Sequence, residues 1–361
     1  MAKIKVLILD NDTTSRDILN KSLEESKDIE VVGIAFNEKI ALDKMRLLNP
    51  DAVIFGNNFN DLSASLFTKK LLEAYPGKGV IIITDSNSKN QASDTIEALG
   101  HGAFDVVLRP DPNISDIEKI KFIERNLSSK IRCFSIKKFS RMARLLTPIE
   151  ETQPYNGNFK PSCVKKYENS KFEIVLIGVS TGGPEVLTNL IPEIPKNFPI
   201  PILIVMHMPK IFTKPMSDSI NRVSKIKFKE AEDNEVLKTG TGYLAPGGIH
   251  LIIRRNLKGE LYVLFEDTPP VNSCKPAVDV LFKSAVGIVR EKAISVVLTG
   301  MGSDGTEGVR ALKENNVPCI VQDKESSVVW GMPGSVAEAG LADEILPLNM
   351  IAKRLTDLVM K

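Results

Sequence analysis

Short, mostly apolar runs recur along this chain, each followed by a turn and a helical stretch. In the first half they are Ile4-Lys-Val-Leu-Ile-Leu9, Ile29 to Ile34, Ala52-Val-Ile-Phe55, Val80 to Ile83 and Phe104 to Leu108. In the second half they are Ile174-Val-Leu-Ile177, Ile202-Leu-Ile-Val205, Ile294 to Leu298 and Cys319 to Val321. A run that is apolar at consecutive positions, not at alternate ones, reads as a strand buried on both faces. Such strands alternating with helices form parallel sheets with helices on both sides. The fold class is therefore α/β, with two doubly wound domains. Thr13 to Lys27 reads as a helix with Thr13 or Thr14 as its N-cap, and Glu38 to Leu48 as the next helix.

The alternation breaks from about Lys130 to Lys171. That stretch starts basic and helix-like and then turns polar, as a linker does. The chain thus divides into a first domain over 1–128, a linker over 129–170 and a second domain over 171–361. Inside the second domain, "GTGYLAPGGIHLIIRR" and "ELYVLFE" predict a β-hairpin insertion.

The net charge of +2 argues against nucleic acid or a membrane surface as the main partner. No apolar run approaches the roughly 18 residues of a membrane-spanning helix. The opening "MAKIKVLILDND" has no separate apolar core or small-residue cleavage site, so it reads as a buried first strand of a cytoplasmic protein. Cys133, Cys163, Cys274 and Cys319 are far apart and form no C-x-x-C, so neither a metal site nor a disulfide framework is expected. Only His101, His207 and His250 can supply an imidazole.

Three turns follow strands directly. In "EIVLIGVSTGGPEVL" a strand ends and the chain turns sharply into a helix, with Pro184 in its first turn. Unpaired N–H groups at a helix start are ready oxyanion donors, so Ser180 there is either a nucleophile or an N-cap in a phosphate loop. His207 stands just past the carboxyl end of another strand, where open parallel sheets bind ligands. Asp304, in "LTGMGSDGTEG", follows a third. A serine, a histidine and an aspartate converging on one crevice supply nucleophile, base and orienter.

Two other readings compete. Gly300, Gly302 and Gly305 spell G-x-G-x-x-G between a strand and a helix, with Asp323 placed as a ribose ligand, so the "GMGSDG" loop also fits a dinucleotide site. Gly178-x-Ser180-x-Gly182 also fits the nucleophile elbow of an α/β-hydrolase, which would use the order Ser180, Asp233, His250.

The ordered motifs "IGVSTGGPEVL", "VMHMP", "YLAPGGIHL", "KPAVDVLFKSA", "LTGMGSDGTEGV" and "VQDKESSVVWGMPGSVAEAG" resemble the chemotaxis-type protein-glutamate methylesterases, the CheB family, over about Ile174 to Leu346. The resemblance implies a Rossmann-like catalytic domain that hydrolyses glutamate methyl esters on chemoreceptor cytoplasmic domains, releasing methanol, and deamidates selected glutamines. It implies Ser180 as nucleophile, His207 as base and Asp304 as the triad acid. Thr181, Gly182, Met301 and Lys275 would then contact substrate. No metal or cofactor is implied. Where the family often has an Arg-x-x-Arg-Pro-like run, this chain has Ser273-Cys-Lys275-Pro276.

The first half resembles the receiver domain of response regulators, a flavodoxin-like, five-stranded parallel sheet. Asp10-Asn11 matches the acidic turn only in part, Thr84 the switch hydroxyl, and Arg109 the place of the receiver lysine. Gly56 stands where the phosphoaccepting aspartate belongs, and Asp51 and Asp61 have the wrong offset. A pseudo-receiver is therefore expected, with weakened Mg²⁺ binding and no phosphoryl switch. A chemotaxis histidine kinase complex is the further partner that the resemblance implies.

Overall fold

The computed structural model describes residues 3–59, 61–85, 89–136, 167 and 170–360. The chain forms two compact units, Met1–Thr152 and Gln153–Lys361.

The first unit is built on β1 (Ile4–Leu9), β2 (Ile29–Ala35), β3 (Ala52–Gly56), β4 (Gly79–Thr84) and β5 (Asp105–Leu108). All pair in parallel, in the order β2-β1-β3-β4-β5. This is the flavodoxin-like order, whose ligand crevice lies at the β1/β3 switch point. β3 and β4 are buried along their whole length, which is why their sequences show no alternation.

The first helix, Thr13–Glu24, is capped by Asp12, not by Thr13 or Thr14. Asp12 Oδ1 accepts the Ser15 N–H at 2.7 Å, while the Thr13 hydroxyl accepts from Arg16 Nη2 at 2.9 Å. The last helix, Asp116–Ile123, starts with a capping box between Ser115 and Glu118. Its backbone runs on through a π-helical turn, Glu124–Ser128, and stays helical over 129–136. Leu127, Ile131 and Phe134 are buried, and Phe134 packs edge-on against Phe104 at 5.5 Å. The boundary expected at 128 thus falls inside a helix that packs on the first unit. Most of the remaining expected linker lies outside the described residues.

The second unit has a seven-stranded sheet and a separate hairpin. Its strands are β6 (Ile174–Val179), β7 (Ile202–Met206), β8 (Lys227–Glu230), β9 (Thr241–Leu244), β10 (His250–Arg255), β11 (Leu261–Glu266), β12 (Ala293–Val297), β13 (Cys319–Gln322) and β14 (Glu344–Leu346). The order is β14-β13-β12-β6-β7-β9-β8, and every pairing in it is parallel. The chain starts in the middle, at β6, and builds outward on both sides, so the β12/β6/β7 region holds the switch point.

The predicted hairpin is β10 with β11, antiparallel from His250↔Glu266 to Arg255↔Leu261. The Thr241–Leu244 part of the same stretch belongs instead to the main sheet, between β7 and β8. The helix Val278–Ala285 covers the sheet with Val278, Leu281, Phe282 and Ala285, all fully buried. This i, i+3, i+4, i+7 stripe contributes about 1.5–3 kcal/mol for each large side chain removed from water. It also fixes the start of that helix beneath the strand ends.

Candidate active site

The last registered pairs of the central strands are Val179↔Met206 and Gly178↔Val297. The next residues along β6 and β7 are Ser180 and His207, so adjacent parallel strands deliver them side by side. The backbone holds both: Ser180 N donates to Thr299 O at 2.9 Å, and His207 N to Val179 O at 3.1 Å. The half-buried Ser180 lies against Gly300, where a Cβ would come within 2.8 Å of the serine Cβ. The helix Gly183–Leu190 that follows begins without a side-chain cap; Gly183 N donates to Ser180 O at 2.7 Å, and Pro184 has no N–H to leave unpaired.

Asp304 comes from the loop after β12. The loop turns back at Gly305, whose φ of 95° only glycine adopts readily. The Asp304 carboxylate is buried and fully engaged. Its Oδ2 accepts from His207 Nε2 at 2.7 Å and from Val278 N at 2.7 Å. Its Oδ1 accepts from Asn272 Nδ2 at 3.0 Å and from the backbone N–H of Asp279 and Gly305, each at 3.1 Å. It sits at the N-terminus of the helix Val278–Ala285, where the helix dipole favours negative charge. Burial alone would raise its pKa, but the His207 hydrogen bond and charge, with the other donors, hold it below the usual carboxylate range.

His207 is shifted the other way. Burial works against its charged form, yet the hydrogen bond to Asp304 and the contact with Cys274 outweigh it and push the imidazole up to about 9. Cys274 Sγ lies 3.4 Å from His207 Nδ1, the ring nitrogen that Asp304 leaves open.

Asp279 completes the frame. It is buried, and its Oδ1 accepts from Gly305 N at 3.0 Å and Gly308 N at 2.7 Å, at the start of the helix Thr306–Lys313. Asn272 Nδ2 bonds its other oxygen at 3.0 Å. Burial, reinforced by the nearby Asp304 charge, raises its pKa. The sequence signal was a lone carboxylate inside the apolar stripe "AVDVLF", and it points to no partner on its own.

The competing readings fare differently. The helix start that a dinucleotide pyrophosphate would need has its Gly305 and Gly308 donors on Asp279. Asp323 turns onto its own loop, where Oδ1 accepts from Ser326 N at 2.8 Å and Ser326 Oγ at 2.6 Å. His250 is fully buried, with Nδ1 accepting from Ala277 N at 3.2 Å and Nε2 facing Pro269 O at 3.0 Å, so backbone groups use both nitrogens. Asp233 accepts from Phe265 N at 2.7 Å and is not on His250. His101, exposed, meets Ser65 Oγ at 3.0 Å in the first unit.

Of the residues expected to contact substrate, Thr181 and Gly182 are buried in the turn after Ser180, and Met301 is half-exposed. Lys275 is ion-paired with Asp267.

In the first unit, the buried Asp10 occupies the β1/β3 switch point. Its Oδ1 accepts from Asp12 N at 2.8 Å and Asn58 Nδ2 at 3.1 Å, and its Oδ2 from Ser15 Oγ and Arg109 Nη2, both at 2.8 Å. Arg109 also bonds Ser15 Oγ and reaches Asp85 at 3.5 Å. A Cβ on Gly56 would land on the Asp10 carboxylate and 2.9 Å from Arg109 Nη2. Thr84 is buried, and its hydroxyl has no hydrogen-bond partner among the described residues. Asp51 lies at the far end of β3, accepting from Lys5 N at 2.9 Å.

The chain matches the family model for the response regulator receiver domain over residues 6–119 and that for CheB methylesterase over residues 175–355. It is 39% identical over 355 residues to the protein-glutamate methylesterase/protein-glutamine glutaminase of Trichodesmium erythraeum, covering 98% of this chain and 99% of that protein. The protein of the same name from Bacillus subtilis is 35% identical over 363 residues, 99% of each chain. The crystal structure of the Thermotoga maritima CheB methylesterase catalytic domain is similar at a TM-score of 0.51 and 44% identity, covering 52% of this chain and 100% of that one. The fold and these likenesses define a receiver-type unit followed by an α/β catalytic unit. The chain belongs to the CheB methylesterase family.

Two outcomes follow from this geometry. NMR titration of the His207 ring should give a pKa near 9 in the full chain, and Asp304→Asn should bring it down to about the free-imidazole value of roughly 6.5 or below; an unchanged pKa would contradict the pairing. Gly56→Ala should destabilise the first unit by about 1–3 kcal/mol through overpacking, because hydrogen bonds hold the Asp10 carboxylate against moving aside; an unshifted urea midpoint would contradict it.

Proposed function

We propose that this protein is a protein-glutamate methylesterase and protein-glutamine glutaminase that works through Ser180, His207 and Asp304. The observation that carries the reading is the 2.7 Å His207–Asp304 bond at the strand end next to Ser180. Ser180 Oγ attacks the ester carbonyl and gives its proton to His207 Nδ1. We assign the oxyanion to backbone N–H groups of the Thr181–Gly182 turn, because Gly183 N is engaged on Ser180 O and Pro184 has none. The tetrahedral intermediate collapses, methanol leaves with the proton returned by His207, and the serine carries an acyl ester. Water activated by the same imidazole then hydrolyses that ester to the free glutamate. A glutamine side chain follows the same course and releases ammonia. Asp304 stays ionised throughout, fixing the ring and stabilising the imidazolium.

The substrates we infer are the methylated glutamates of chemoreceptor cytoplasmic domains, in the cytoplasm and within reach of a chemotaxis histidine kinase complex. No helix among the described residues is long and apolar enough to cross a membrane. We read the first unit as a pseudo-receiver. Gly56 offers no carboxylate, and protein donors already engage the Asp10 oxygens.

His207 must be neutral to act as a base, and its folded pKa lies near 9. Log kcat/KM for methanol release should therefore rise about one unit per pH unit below that value and level off above it. A profile that is already flat at pH 7 would contradict the base assignment. Ser180→Ala should lower methanol release from methylated receptor by roughly 10³-fold or more, and acetyl phosphate should not change the wild-type rate. A fully active Ser180→Ala variant, or a phosphoaspartate accompanied by a rise in rate, would overturn the corresponding part of the reading.

A further inference from the structure

The proposed hydrolysis leaves Cys274 unused, although its sulfur touches the ring nitrogen that has to accept a proton. The turn Val271–Cys274 is closed by backbone bonds in both directions, Val271 N to Cys274 O at 3.1 Å and Cys274 N to Val271 O at 2.9 Å. The same turn sends Asn272 to Asp279 and Asp304, and Cys274 to His207. A thiol, an imidazole and a carboxylate thereby lie with one ligand atom each within 4.8 Å of one another.

We propose that Cys274 Sγ and His207 Nδ1 form a binding site for zinc(II), and that zinc bound there inhibits the enzyme. Tetrahedral zinc with Zn–S of about 2.3 Å and Zn–N of about 2.0–2.1 Å holds sulfur and nitrogen about 3.5–3.6 Å apart. The observed separation is 3.4 Å, so the two donors reach that spacing with almost no movement. Asp304 is not a ligand, since backbone and side-chain donors already engage its oxygens. It accepts from His207 Nε2 at 2.7 Å, the carboxylate–histidine arrangement that fixes the tautomer with the Nδ1 lone pair facing the metal.

Binding takes the Cys274 thiolate and the Nδ1 lone pair, and both the thiol proton and, below pH of about 9, the imidazolium Nδ1 proton go to solvent. Water fills the remaining positions. A thiolate with an imidazole favours zinc over magnesium, which prefers oxygen ligands. Inhibition follows because the metal holds the electron pair that would take the Ser180 proton. This last consequence rests on the proposed function, whereas the binding does not. Cys319 cannot offer the same site: it is fully buried, and burial pushes its thiol up to about 12.

The test uses the full chain with Cys133 and Cys163 changed to alanine. Cobalt(II) is titrated first and read through its thiolate-to-metal charge-transfer band, and zinc is then added to displace it. Methanol release from methylated receptor is measured in parallel with zinc or magnesium, each relative to the same protein's metal-free rate. The expected result is a cobalt–thiolate band that zinc removes and that Cys274→Ala abolishes. Zinc inhibition should be reversed by a chelator and weakened at least about tenfold by Cys274→Ala, with magnesium inert. No band, a band that survives Cys274→Ala, or equal zinc inhibition of both proteins would overturn the proposal. A Cys274-dependent band in a chain that never releases methanol would uphold the metal site and refute the esterase reading.

Discussion

The second unit is organised around one buried carboxylate. Asp304 is 2% exposed, and its charge is tolerable only because donors from three directions converge on it. The start of the helix Val278–Ala285 supplies backbone N–H groups, the turn Val271–Cys274 supplies Asn272, and β7 supplies His207. Removing any one of these would leave a buried charge partly unpaired, which costs far more than an ordinary hydrogen bond is worth. The carboxylate therefore ties the loop after β12, the helix under the sheet and the end of β7 into one geometry. Asp279 repeats the device one step away, binding the start of the helix Thr306–Lys313 to the same turn. The glycines of the "GMGSDG" loop, which fit a nucleotide, here let the chain turn back and present Asp304.

The first unit shows what the same logic does where a carboxylate is missing. Receiver-type sites place acidic groups together at the β1/β3 switch point. Here Asp10 stands without a partner acid at 56, and Arg109 and Ser15 have closed in on it. The Asp10 carboxylate is paired with Arg109 in a salt bridge of 2.8 Å. The space that a side chain at 56 would take is filled by the Asp10 carboxylate itself.

Much of this was readable from the sequence, for identifiable reasons. Strands buried on both faces announce themselves as consecutive apolar residues, and residues just beyond them fall at one edge of a parallel sheet. Ser180, His207 and Asp304 could be picked out on that basis. β8 and β14 could not, because "KFKE" and "EIL" are short, charged edge strands. The cap at Asp12 lay one residue before the two threonines that compete for it. The helix running past 128 hides its buried Leu127, Ile131 and Phe134 among polar and basic residues. Asp279 and Cys274 lie in stretches that the resemblance singles out, but their partners, like those of Asn272, are ones that only the fold brings together.

The most direct measurement is covalent trapping with a serine-directed fluorophosphonate, followed by peptide mapping. A nucleophile activated by the His207–Asp304 pair predicts a single adduct at Ser180 in the intact chain. Its rate of formation should fall by orders of magnitude in both His207→Ala and Asp304→Asn. An adduct on another residue, or a Ser180 adduct that forms equally fast in all three proteins, would contradict the assembly of these side chains into one site.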